Sequence, residues 1–116
     1  MKAMLKPIPA AWRSTSKVFT ALGDEYRQRI LLSFEPGKRL TIGEIVAMST
    51  LSRTAVSHHV RVLRDAGVLS SRKQGREVHL WIDKAYLQQN LQAVLDYVSD
   101  QSGGPRPADG QMGGRT

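Results

Sequence analysis

The chain has 116 residues, 41% of them hydrophobic, with a formal charge of +7 and an isoelectric point near 10.3. That length builds one compact core but hardly two, and the basic balance favours a polyanionic partner, nucleic acid ahead of an acidic membrane or an acidic protein. Cysteine is absent, which excludes disulfides, thiolate metal sites and cysteine-based redox sensing and fits a reducing compartment.

The opening "MKAMLKPIPAAW" lacks the apolar run of a secretory signal, and no later segment approaches the roughly 18 uninterrupted apolar residues of a membrane span. A cytoplasmic protein is therefore expected. The chain divides into an N-terminal lead (1–11), a structured body (12–100) and a tail (101–116). The tail, "QSGGPRPADGQMGGRT", is rich in Gly and Pro and nearly devoid of large apolar residues, so it cannot offset its ordering entropy and reads as disordered. The alternative is a second binding arm through Arg106 and Arg115.

A first helix is predicted from Trp12 to Leu22, where Trp12, Thr15, Phe19 and Leu22 recur at helical spacing and Gly23 ends the run. Asp24 is placed to cap a second helix, "DEYRQRILLSF", whose Tyr26, Ile30 and Phe34 share a face before Pro36 and Gly37 break it. "TIGEIVAM" opens with Thr41 and Glu44 in capping-box spacing, and Ile42, Ile45 and Val46 supply its buried side. After the brief link "STLS", Ser52 is placed to cap a fourth helix, and two helices joined by so few residues suggest a helix-turn-helix.

At 100 degrees per residue, Ala55, Val56, Val60, Val62, Leu63 and Ala66 gather on one arc of the fourth helix. Arg53, Thr54, Ser57, His58, Arg61 and Arg64 gather on the other. Short donors and arginines, with Asp65 as the one acid, are groups that reach both phosphates and purine edges; the plainer account is a solvated helix surface. The adjacent His58 and His59 point about 100 degrees apart, which suits them poorly to grip one metal ion. His59 falls in the apolar arc and reads as a packed histidine, hydrogen-bonded to a neighbouring helix or a phosphate. His58 reads as a solvated side chain or as a contact to a base edge or phosphate.

Gly67 closes this helix, and "VLSSRKQGREVHLWID" then alternates as two strands of a hairpin with Val78, Leu80 and Ile82 on one face. Arg72, Lys73 and Arg76 around Gly75 make a basic tip suited to a phosphate backbone or a minor groove, against the alternative of a solvated turn. In the last helix Leu87, Leu91, Val94, Leu95 and Val98 form an apolar stripe that Tyr86 and Tyr97 extend. The stripe packs either on the N-terminal helix or across a two-fold axis, and the second geometry sets two recognition helices roughly 34 Å apart on DNA. The expected class is mainly α with a small β-hairpin, in the order α-α-α-α-β-β-α.

"VFTALGDEYRQRILLSF", "STLSRTAVSHHVRVLRDAGVL" and "RKQGREVHLWID" together resemble the ArsR/SmtB-type winged-helix transcriptional regulators of bacteria over about residues 14–98, with "AVSHHVRVLRDAGVL" the most specific block. The resemblance implies a homodimer with the first and last helices at the interface, hence through Trp12, Phe19, Leu87, Leu91, Val94, Leu95 and Val98. It also implies the helix from Arg53 in the major groove, the hairpin as wing, and repression relieved by an effector. Where many members carry the cysteine pair of "CVCDL", this chain has "TIGEI", which puts Thr41 and Gly43 at the thiolate positions. Where others carry Asp, two His and Glu on the final helix, matching the spacing gives Asp83, Ala85, Asp96 and Ser99, a poor transition-metal set. His79, beside Trp81, reads as a half-buried strand residue.

The sequence thus points to a regulator that binds double-stranded DNA through Arg53, Thr54, Ser57, His58, Arg61, Arg72, Lys73 and Arg76, without a cofactor and without a thiolate metal site. The competing class is a winged helix that docks on an acidic protein partner. An enzyme is disfavoured, since no carboxylate pair, Ser/His/Asp set or phosphate-cradling Gly loop lines up on one face.

Overall fold

The computed structural model describes residues 4–101; the tail expected to be disordered, with Arg106 and Arg115, lies outside the described residues, Gln101 apart. In chain order the elements are α1 (Trp12–Leu22), α2 (Glu25–Leu32), β1 (Leu40–Thr41), α3 (Ile42–Ala47), α4 (Arg53–Asp65), β2 (Leu69–Gln74), β3 (Glu77–Ile82) and α5 (Lys84–Ser99). This is a winged helix-turn-helix: helices around a small antiparallel sheet of order β1-β3-β2.

The helix starts follow from their caps. The Asp24 carboxylate accepts from the Arg27 N–H at 3.0 Å, and Ser52 Oγ accepts from the Ala55 N–H at 3.2 Å, each satisfying one of the donors orphaned at a helix start. At α3 the capping box is complete: Thr41 Oγ1 accepts from the Glu44 N–H, and Glu44 Oε1 accepts from the Thr41 N–H. Helix α4 ends in a Schellman motif, with Val68 N–H bonded to the Leu63 carbonyl at 3.0 Å and Gly67 N–H to the Arg64 carbonyl at 2.9 Å. Gly67 sits at φ +83, and a Cβ there would lie 2.3 Å from a Tyr86 ring carbon of α5. Only glycine fits, on both backbone and packing grounds.

The core forms where the helix-turn-helix meets the sheet. Val56, Val60 and Leu63 project inward from α4, each at 1% exposure or less, against Val18 and Ala21 of α1, Ile30 of α2, Ile45 of α3 and Leu80 of β3. Burying each such side chain contributes about 1.5–3 kcal/mol, enough to fix which side of α4 points in.

Two expectations need correction. The sheet has a third strand, since β1 pairs Leu40 with Leu80 and Thr41 with His79; a two-residue strand is too short to show alternation. Phe34 is buried but lies past the end of α2, whose C-cap is Ser33. The inward face of α1 is Thr15, Val18 and Ala21, whereas Phe19 is 47% exposed. Of the residues whose spacing predicted the helix, Thr15 thus faces the core, while Phe19, expected at an interface, faces outward.

Helix α5 holds a further surprise. Its buried position is polar: Asn90, 5% exposed, accepts at Oδ1 from Ser14 Oγ at 2.8 Å and Thr15 Oγ1 at 3.0 Å on α1, and donates from Nδ2 to the Tyr86 carbonyl at 2.9 Å. With its hydrogen-bonding groups paired, this amide pins α1 to α5 at one register.

Replacing Gly67 with alanine forces a left-handed conformation on a residue that resists it and pushes a methyl into Tyr86. The substitution is expected to cost at least about 1–2 kcal/mol in denaturant unfolding; an unchanged midpoint would contradict this account of the α4–α5 packing.

Candidate nucleic-acid interface

Helix α4 separates cleanly into two sides. Arg53, Thr54, His58, Arg61 and Arg64 are exposed and Ser57 is half-buried, opposite the arc that enters the core. Their outward aim is set by packing on the far side and by a group of contacts that sequence reasoning missed. Tyr26 of α2 stacks on His59 with ring centroids 5.2 Å apart and planes 23° apart, while its hydroxyl hydrogen-bonds Ser49 Oγ in the turn between α3 and α4. Ser49 Oγ in turn accepts from the Leu51 N–H at 2.9 Å. One tyrosine therefore touches both the turn and the helix that the turn aims.

Arg27 works beside it. Its Nη1 donates to His59 Nδ1 at 3.2 Å, and its Nε and Nη2 donate to the Ala21 and Thr20 carbonyls at 2.8 and 3.2 Å. Because a guanidinium only donates, this contact takes Nδ1 as the acceptor. The end of α1, the first turn of α2 and the middle of α4 thus share one guanidinium. His59 is the packed histidine expected from its arc. His58 is exposed, its ring centroid 5.7 Å from that of His59. Asp24 titrates below the usual carboxylate range, chiefly because it accepts the Arg27 backbone N–H and then because the Arg27 side chain attracts its charge.

The wing is the β2–β3 hairpin, closed by a turn at Gly75 and Arg76 with Gly75 at φ +62 and Gln74 paired to Glu77. Arg72 pairs with His79 and Lys73 with Val78, so alternation sends these two side chains to opposite faces of the ribbon. The basic tip is not a single patch. What the fold does bring together is Arg76 and Arg53: the wing and the first residue of α4 line one cleft of about 130 Å³, with Thr41, Gly43 and Glu77. No feature of either segment signals that meeting, because it depends on the sheet folding back over the start of α3.

Of the expected interface residues, Phe19, Leu95 and Val98 are 47%, 57% and 59% exposed, and Leu87, Leu91, Val94 and Trp12 are half-buried. Trp12 meets Tyr97 edge to face at 5.3 Å, so α1 and α5 pack together and still leave apolar side chains uncovered. Among the described residues no three His, Asp or Glu side chains converge as a metal site. Thr41 caps α3, Asp83 caps α5 through the Tyr86 N–H, and Asp96 accepts from Gln92.

Residues 24–71, which span α2 to the start of β2, match the family described as "Bacterial regulatory protein, arsR family". The arsenic resistance transcriptional regulator ArsR1 of Pseudomonas putida is 32% identical over 90 residues, covering 71% of this chain and 70% of that protein. The chain belongs to the ArsR family. The transcriptional repressor SdpR of Bacillus subtilis is 27% identical over 84 residues, with 72% of this chain and 92% of that protein covered. An ArsR-like transcriptional regulator from Rhodococcus sp. RHA1 shares the fold at a TM-score of 0.68 and 24% identity, over 78% of this chain and 82% of that one. As an ArsR-family member the protein is a DNA-binding transcriptional regulator of a class that is not enzymatic. No described helix is long and apolar enough to cross a membrane.

The sign of the Asp24 shift yields a pH expectation. A carboxylate held below its ordinary value stabilises the fold above its unfolded pKa of about 3.9, and that contribution is lost as pH falls through the lowered native value. Acid unfolding of Asp24→Asn should therefore show a shallower fall in stability below about pH 4 than the parent; identical acid limbs would contradict the assignment.

Proposed function

We propose that the protein is a cytoplasmic, homodimeric, sequence-specific repressor of transcription. Arg53, Thr54, Ser57, His58 and Arg61 read the major groove, while Arg72, Lys73 and Arg76 hold the phosphate backbone or enter the minor groove. The observation that carries this reading is the meeting of Arg53 and Arg76 at one cleft, since two cations from the recognition helix and the wing can straddle one phosphate strand beside the groove that α4 enters. The outward row of α4 supplies bidentate arginine and short donors, the groups that discriminate base edges. Opposite-facing Arg72 and Lys73 suit a ribbon that lies along a backbone with charge on both sides.

The dimer uses α1 and α5 through Trp12, Phe19, Leu87, Leu91, Val94, Leu95 and Val98, whose exposed members would otherwise remain in water. In this reading the chain is not a thiolate metal sensor: it has no cysteine, and of the aligned thiolate positions, Thr41 and Gly43, the first serves as the cap of α3.

On a site selected from a random duplex library, Arg61→Ala should cost about 1–3 kcal/mol relative to scrambled DNA, whereas Lys73→Ala should weaken both duplexes alike. Equal losses on both duplexes for every α4 substitution would remove the base-reading role. A Leu95→Glu variant should sediment as a monomer while keeping its helical circular dichroism, and an unchanged dimer would move the interface elsewhere.

A further inference from the structure

A cleft of about 530 Å³ lies away from the α4 surface, between the α2–β1 connection and the junction of β3 with α5. Phe34, Pro36 and Ile82 give it an apolar lining, and Lys38, Arg39 and Lys84 line it against a single acid, Glu35. Among the described residues the one ion pair within 4.0 Å is His79 with Glu77, so none of these three cations is neutralised by a carboxylate. Arg39 lies over the Trp81 ring, its guanidinium carbon 4.3 Å from the centroid. That contact holds the guanidinium in place and leaves its N–H edge free to donate a forked pair of hydrogen bonds.

We infer that this cleft binds a small organic carboxylate with an apolar body, the carboxylate held by Arg39 with Lys38 and Lys84 and the body on Phe34, Pro36 and Ile82. The size falls within the roughly 300–1,000 Å³ of small-molecule sites, and an apolar lining with a few convergent charges is their usual chemistry. An inorganic anion would leave the apolar lining unused, and a neutral apolar molecule would gain nothing from the three cations. Trp81 and Ile82 lie on the wing strand β3, at its end remote from the tip, and Lys84 opens α5. An occupant would therefore touch the wing strand, α5 and the connection ahead of α3 together, and would act as an effector if it bound two arrangements of these elements with different affinity. That last consequence rests on the DNA-binding reading above; the binding itself does not.

The test is a titration without DNA, followed through the two tryptophan indole N–H signals in ¹⁵N NMR, with Trp81 assigned by Trp81→Phe. 2-Naphthoate is expected to move the Trp81 signal saturably at roughly millimolar concentration or below, leaving Trp12 in place. Arg39→Gln and Lys84→Gln should each weaken it by about tenfold, and Lys73→Gln on the wing should not. The uncharged 2-naphthalenemethanol and inorganic phosphate should each bind far more weakly. No saturable Trp81 response to 2-naphthoate, or equal weakening by the wing variant, would overturn the proposal. An equal response to phosphate would also do so, by reducing the site to general anion attraction.

Discussion

Everything the molecule presents outward depends on the burial of one side of α4. Val56, Val60 and Leu63 are fully enclosed, and a helix anchored at those three positions has no freedom to rotate about its axis without exposing them. The arginines and His58 on the opposite arc point to solvent as a consequence. Tyr26 and Arg27 then settle the remaining freedom, the tilt of α4 and the path of the turn before it, by binding His59, Ser49 and the end of α1 from a single turn of α2.

The caps were legible in the sequence because they are local. Asp24, the Thr41–Glu44 pair, Ser52 and Gly67 act on backbone groups within a few residues, so spacing alone reveals them. The two-sided pattern of α4 was legible for the same reason, and with it the role of His59. What escaped were meetings between segments distant in the chain. β1 is two residues long and exists only because β3 lies beside it. Asn90 is buried because Ser14 and Thr15, some 75 positions earlier, accept its company, and an asparagine within an apolar stripe carries no local mark of that fate. The convergence of Arg53 with Arg76 and the opposed faces of Arg72 and Lys73 likewise follow from sheet register rather than composition.

The distribution of apolar surface divides the molecule by task. The helix-turn-helix and sheet bury their large apolar side chains apart from Met48, whereas α1 and α5, pinned together by Asn90, keep Phe19, Leu95, Tyr97 and Val98 substantially exposed. A polar pin in an otherwise apolar contact fixes register at little gain in stability, and a fixed register between α1 and α5 is what a repeated interface between two copies needs. The charged and apolar surfaces then serve different partners: DNA on α4 and the wing, a second copy on α1 and α5, in the reading proposed above.

The most direct test of that reading is hydroxyl-radical and dimethyl-sulfate footprinting of the protein on a selected duplex. Two recognition helices related by a two-fold axis predict two protected major-groove segments centred about 10 base pairs apart, roughly 34 Å, symmetric about their midpoint and flanked by backbone protection from the wings. A single protected segment, or protection spread evenly along the duplex, would contradict it.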